Sequence, residues 1–337
     1  MENTELVLWT SLAIGILFGV CAQATGFCLH RGLKEVWTGR SGYKLHAFAA
    51  ALAVALAGTQ LAYGQGLVDI GRSLYLAPTI SWLLLPLGGL LFGLGMGLAN
   101  GCGARALVLL GQGNLRSLVV LLCLGIAAYI TLTGLLAPLR LYLAQISSLT
   151  LPAATLAPGL PRTVLVWTLA AGLLLFALSP RQSGQRLGDL LGGLVIGLLI
   201  VAGWLTTGWL GNDPFEPQPV TSLSFVAPVG DAIQYAMIAT GMSPRFGILL
   251  VLGVLIGSFL TALLRGRLQL EGFESPRQMA RYIAGGLLMG VGGILALGCT
   301  IGQGLTGLST LAYSSFIAAL ALVAGARLAL ALNPDKA

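Results

Sequence analysis

The residues of this chain best suited to chemistry are three cysteines, each closing a glycine-containing motif: Cys28 ends GFC, Cys102 ends ANGC and Cys299 ends ALGC. A thiol is soft and polarizable and makes only weak hydrogen bonds, so it suits a soft sulfur atom better than a hard hydroxylated surface does. Several modest contacts in series bind an ion weakly enough for it to leave, which a permeation path requires. Cys21 and Cys123 lack the shared motif position and read as packing residues. Cys21 and Cys28 are seven apart on what reads as one helix, about 10 Å along its axis and beyond disulfide reach. An enzyme working by thiol exchange needs cysteines that attack and resolve in pairs; the sequence holds no CxxC, so the chain is not read as an enzyme.

Further candidates surround the thiols. Glycine-rich sequence follows Cys102 and Cys299, and Gly101 and Gly298 precede them, which predicts two helices broken at membrane depth. Their freed backbone N–H groups need partners, and a half-helix N-terminus favours an anion. Arg105, three residues after Cys102, either balances a dianion or snorkels to the membrane surface. Gln303 and Gln112 each sit in a GQG triplet that allows tight backbone beside an amide with donors and acceptors; Gln303 is the stronger candidate. The permeation set is therefore Cys28, Cys102, Cys299, Gly101, Gly298, Gln303 and Arg105. All eleven acidic residues fall in connections or at span ends, so the carboxylate relay of many proton pumps is missing. His30 and His46, read as surface residues, have no nearby carboxylates or paired cysteines and make no metal site. No cofactor is indicated.

The elements that position these residues follow from composition. The chain has 337 residues, 56% hydrophobic and 9% charged, with a mean hydropathy of +0.90, outside the balance of a soluble domain. It reads as an all-α polytopic membrane protein with about nine crossings of roughly 20 residues each. These fall near 6–29, 47–64, 82–110, 117–137, 162–179, 189–210, 245–264, 282–312 and 313–333. The first segment lacks the basic start and cleavage site of a signal peptide and reads as retained. A net charge of +7 would suggest nucleic acid in a soluble protein, but here Lys and Arg gather in short connections and report orientation instead. Arg31, Lys34, Arg40, Lys44, Arg181, Arg186, Arg265, Arg267, Arg277 and Arg281 mark the cytoplasmic side. The stretch 212–219, with Asp213 and Glu216, and the segment around Asp69 and Arg72 mark the outside. The N-terminus is then periplasmic, and the C-terminus, with Lys336, cytoplasmic.

An internal repeat organises the chain. GGLLFGLGMGLANGC from Gly88 and GGLLMGVGGILALGC from Gly285 align without a gap at an offset of 197 residues. GILFGVCAQATGFC from Gly15 is a weaker relative, placing Cys28 opposite Cys102 at an offset of 74. A fourth copy, GLVIGLLIVAGWLTT from Gly193, carries Thr206 where the others have cysteine. The modules at 15–32 and 88–115 fall in a first half, 1–179, and those at 192–211 and 285–311 in a second, 180–337. Five crossings separate corresponding modules, so the halves are expected to be inverted repeats, with a site near the bilayer midplane.

At GFCLHRG, ANGCGARALVLLGQGNL and ALGCTIGQGLTGLSTL the chain resembles the YeeE/YedE family of bacterial inner-membrane proteins, which includes a thiosulfate transporter. The resemblance spans nearly the whole chain. It implies an hourglass-like helical bundle, a central path lined by Cys28, Cys102 and Cys299, and thiosulfate uptake from the periplasm by S–H hydrogen bonds. It also implies a small TusA-like cytoplasmic sulfurtransferase as partner. GCGAR around Arg105 departs from the commoner family pattern, and some relatives associate with selenium metabolism, so another sulfur or selenium species or a small anion is the alternative cargo. Cys28 is expected toward the outer side, Cys102 centrally, with Cys299 completing the relay. A membrane thiol sulfurtransferase or oxidoreductase is the rival of a different class, and a membrane scaffold recruiting a sulfurtransferase the least economical.

Overall fold

The computed structural model describes residues 3–39, 42–150, 155, 162–179, 186–212 and 218–332. Arg40, Arg181, Asp213, Glu216 and Lys336, which entered the orientation argument, lie outside the described residues, as does the side chain of Arg186. The helices in chain order are α1 (Asn3–Thr25), α2 (Leu29–Trp37), α3 (Tyr43–Gly64), α4 (Leu84–Leu98), α5 (Gly103–Gly111), α6 (Leu115–Leu132), α7 (Ala137–Ile146), α8 (Arg162–Leu178), α9 (Arg186–Leu205), α10 (Val226–Ile238), α11 (Phe246–Leu264), α12 (Pro276–Leu295) and α13 (Tyr313–Leu332). π-helical turns follow at Thr206–Leu210 and Gly302–Gly307. The strands β1 (Thr79–Ser81) and β2 (Ser148–Thr150) form one short antiparallel pair.

Among the described residues, seven helical segments are long and apolar enough to cross a membrane: Asn3–Trp37, Tyr43–Gly64, Leu84–Gly111, Leu115–Leu132, Leu187–Leu210, Phe246–Leu264 and Tyr313–Leu332. The other two expected crossings coincide with α8, of 17 residues, and with α12, whose first turns are occupied by Arg277 and Arg281. Both fall short of that measure. The distribution of side chains is that of a membrane bundle. Leu17, Trp167, Leu175, Leu198 and Leu320 are exposed, while Ser11, Thr59, Thr300, Thr306, Thr310 and Ser315 are buried. The chain is an all-α, multi-pass membrane protein.

Glycine spacing decides which helices touch. Without a hydrophobic force between helices in lipid, association depends on close backbone approach at small residues. Gly15 and Gly19 of α1 lie on the carbonyls of Leu250 and Val254 in α11, and Gly193 and Gly197 of α9 on those of Ala47 and Ala51 in α3. In the same way Gly89 and Gly93 of α4 meet the carbonyls of Ala318 and Leu322 in α13, and Gly286 and Gly290 of α12 meet those of Val120 and Leu124 in α6. Between α4 and α12, Gly88 opposes Gly292 and Gly95 opposes Gly285. Any side chain at these positions would overlap backbone of the neighbouring helix.

Charged groups tie down one end of this bundle. Lys44 pairs with Asp189 at 2.7 Å, Arg116 with Glu274 at 2.9 Å, and Asn114 Nδ2 donates to Glu271 at 2.6 Å. Nothing in the sequence pattern marks α7 and α10. α10 is short and holds Pro228 and Gly230, so neither length nor periodicity marks it. It packs on α6 through Gly125 and Gly230 and through a hydrogen bond from the Tyr129 hydroxyl to Asp231.

Candidate functional site

Each of the three cysteines follows a helix break of the same construction. Two positions before the thiol stands a residue in left-handed backbone: Gly26 at φ 65°, Asn100 at φ 55° and Leu297 at φ 59°. Such a residue ends a helix and turns the chain. In α4 and α12 the closures correspond, Gly101 N donating to Met96 O at 3.0 Å and Gly298 N to Gly293 O at 2.8 Å. Other carbonyls freed by the breaks meet side-chain donors: Arg281 Nε donates to Leu98 O at 3.0 Å, Gln303 Nε2 to Ala296 O at 2.6 Å and Arg265 to Ala24 O at 3.1 Å. Left-handed backbone costs a residue with a Cβ roughly 1–2 kcal/mol, and asparagine less than most. Replacing Asn100 by Gly should therefore leave the melting temperature in detergent unchanged, while Asn100→Val should lower stability by about 1–2 kcal/mol.

Three breaks are present where two were expected. The additional one, at Gly26, is brief, and the apolar run of α1 passes so directly into α2 that the sequence reads as continuous. Cys21 and Cys28 consequently do not share a helix; the Cys21 thiol donates to Gly192 O at 3.3 Å, a packing contact between α1 and α9. The module carrying Thr206 does not break. Its helix widens into the π turn that begins at Thr206.

Cys28 and Cys102 stand at the N-caps of α2 and α5, and neither side chain caps its helix. Their thiols instead face each other across a tight space of about 10 Å³, together with Thr300 and the apolar side chains of Phe18, Phe27, Leu29, Val108 and Ile301. That volume holds about one water-sized sphere. Cys28 and Arg105 border both this constriction and an open vestibule of about 570 Å³. The vestibule carries Arg31, Lys34, Arg105 and Arg116 against Glu35 and Glu271, a positive balance that draws anions. Arg105 Nη1 is buried and makes no hydrogen bond.

The structure thus brings Cys28, Cys102, Gly101 and Arg105 together around one opening. Cys299 lies deeper, fully buried, its sulfur accepting from Gly302 N at 3.3 Å. Gly101 and Gly298 keep the breaks compact: an added Cβ would sit 3.3 Å from Arg105 Cγ and 3.2 Å from Gln303 N respectively. Gln303 donates one amide N–H to Ala296 O at 2.6 Å, which holds the break, and its buried oxygen is left without a partner. Gln112 accepts from Gln23 at 3.1 Å and donates to Arg267 O at 3.2 Å, which makes it a strut. α1 runs 23 residues, about 34 Å, before Cys28 is reached, and the thiol opens among the same Arg31 and Lys34 that the charge pattern assigns to the cytoplasm. Both histidines are buried, against expectation, and His46 stacks on Phe176 at 4.7 Å. Among the described residues no cluster of His, Cys, Asp or Glu suits a metal. Thr300 escaped the sequence reading because nothing marks it beyond its place after Cys299; only the approach of the second half to the first sets it beside Cys102.

Two curated proteins resemble the chain over nearly its full length. The thiosulfate transporter TsuA of Escherichia coli (strain K12) is 24% identical, with 95% of this chain and 92% of that protein covered. The thiosulfate transporter TsuA of Spirochaeta thermophila is 26% identical, with 95% and 97% covered. The family described as Sulphur transport matches residues 24–328, from just before the first break to the last turns of α13, and the chain belongs to that family, the YeeE/YedE proteins.

Proposed function

We propose that this protein carries thiosulfate across the bacterial inner membrane into the cytoplasm along a path through Cys299, Cys102 and Cys28. The observation that carries the reading is the pair of thiols facing each other at a constriction that opens onto a cationic vestibule. A soft, weakly donating lining suits the terminal sulfur of the ion, and the excess of cations beyond it suits the release of a dianion toward the basic face. The two TsuA proteins, named thiosulfate transporters, support the same cargo. An ion of five heavy atoms does not fit a space of about 10 Å³, so passage requires the apolar walls around Phe27 and Ile301 to part. Arg105, at the boundary of the two spaces, balances charge as the ion leaves the thiols.

Inverted repeats are supported by the reciprocal glycine contacts. Gly89 and Gly93, which face α13, and Gly286 and Gly290, which face α6, are equivalent under the 197-residue offset, and Gly15 and Gly19, which face α11, correspond to Gly193 and Gly197, which face α3, as the openings of the other two modules. A two-fold axis in the membrane plane would generate such an exchange of partners. Counting α8 and α12 gives nine crossings, with an exterior N-terminus, a cytoplasmic C-terminus and the exposed leucines against lipid. A TusA-like sulfurtransferase receiving the ion would approach the basic face.

Uptake of labelled thiosulfate by the purified protein in liposomes, with imposed and collapsed proton or sodium gradients, tests cargo and driving force together. Competition by other sulfur and selenium anions decides between close substrates. One observation favours a membrane thiol oxidoreductase, namely that Cys28 and Cys102 meet despite the missing CxxC. Thiosulfate labelled on both sulfur atoms separates the two: transport delivers it with the atoms still joined, and cleavage at the membrane would replace the transport reading.

A further inference from the structure

The path reading leaves one polar group at the constriction without a task. Thr300 is fully buried, and among the described residues its hydroxyl has the weak Cys102 thiol beside it and no well-formed hydrogen bond. It lines the tight space with Cys28 and Cys102, alongside the Cys102 thiol. A buried hydroxyl left unpaired is costly, and the corresponding position is glycine in the second module, Gly103, and leucine in the first, Leu29. The requirement for a hydroxyl is therefore local to this point of the path and does not come from the repeat.

The other groups around the space divide by chemistry. Two thiols offer soft contacts, seven side chains are apolar, and Arg105 stands at the vestibule edge. None of the apolar walls can pair with a hard oxygen. A thiosulfate ion has one soft end, its terminal sulfur, and one hard end bearing three oxygens. A hydroxyl donates well to an anionic oxygen, and such charge-assisted bonds are stronger than neutral ones.

We propose that Thr300 is a specificity-determining residue, its hydroxyl donating to an oxygen of the sulfonate end while the Cys28 and Cys102 thiols face the terminal sulfur. The assignment rests on the thiosulfate reading above and gives that path a means of sensing both ends of the ion. A merely structural threonine would be indifferent to what the ion carries.

The test uses the full-length protein in liposomes and the concentration dependence of labelled thiosulfate uptake. Thr300→Val keeps the shape and removes the hydroxyl; it should raise KM about tenfold, the loss of roughly one charge-assisted hydrogen bond. Thr300→Ser keeps the hydroxyl and should stay within about twofold of the parent. Equal KM for Thr300→Val and the parent, or equal impairment of the Ser and Val variants, overturns the proposal. If Thr300→Val does not yield folded protein in detergent, Thr300→Ala takes its place with the same expected rise in KM, and an unchanged KM there is equally decisive. Absence of saturable thiosulfate uptake by the parent protein would defeat the underlying transport reading; normal parent uptake with indifferent Thr300 variants defeats only this assignment.

Discussion

Cys102→Ala should lower thiosulfate uptake in liposomes by about a hundredfold while the protein still inserts and purifies normally, and should abolish thiosulfate-dependent growth of a cysteine-requiring host. Cys102 touches groups from both parts of the chain: Cys28 from the first broken helix and Thr300 from the last. A hydrogen bond to a charged group contributes about 1.5–3 kcal/mol, which is roughly ten- to a hundredfold in rate when it is made at the narrowest point. The upper end applies because the neighbouring walls are apolar, and Cys28 and Thr300, each already engaged with the ion, cannot take over the lost contact. The substitution removes one sulfur atom from a site already near closure, so the cavity cost is small and folding should survive. Cys123→Ala, at the α6 contact with Gly286, controls for loss of any thiol and should transport normally. Undiminished growth of the Cys102→Ala strain would remove this residue from the mechanism.

The membrane class and most helix positions were legible in the sequence because they rest on long apolar runs, and the breaks before Cys102 and Cys299 because an ungapped repeat ending in glycine and cysteine marks them. Three things were not legible. The break at Gly26 is made by one left-handed residue between two helices, and a single glycine in an apolar run has no distinguishing pattern. The position of Cys28 depends on how far α1 travels before the chain turns, a matter of absolute length that the repeat, read as alignment alone, conceals. The constriction brings Cys28, Cys102 and Thr300 together from positions separated by nearly the whole chain, and Thr300 belongs to no motif. Gln303 shows the converse case: its GQG triplet does mark a special backbone site, where its amide donates to a carbonyl freed by the break.

Gly93→Leu and Gly290→Leu should each abolish accumulation of folded protein, and by comparable amounts, whereas Gly172→Ala should be neutral or slightly stabilising. Gly93 rests on the Leu322 carbonyl and Gly290 on the Leu124 carbonyl, backbone that cannot swing aside, while nothing lies within 4 Å of the position a Cβ would take at Gly172. Forcing side-chain atoms into such a contact costs well above the 1–3 kcal/mol of ordinary overpacking, because two helices must separate along their length and lose the close packing that holds them in lipid. At Gly172 only the helix propensity changes, worth up to about 1 kcal/mol in favour of alanine. The comparison of the two leucine variants carries more than stability. If α4 on α13 and α12 on α6 are equivalent interfaces of an inverted repeat, disrupting either should cost the same, and detergent-solubilised yield and melting temperature should fall together. A folded, active Gly290→Leu protein beside a lost Gly93→Leu protein would mean that the exchanged contacts do not bear equal load, and that the second half contributes to the path without sharing the architecture of the first.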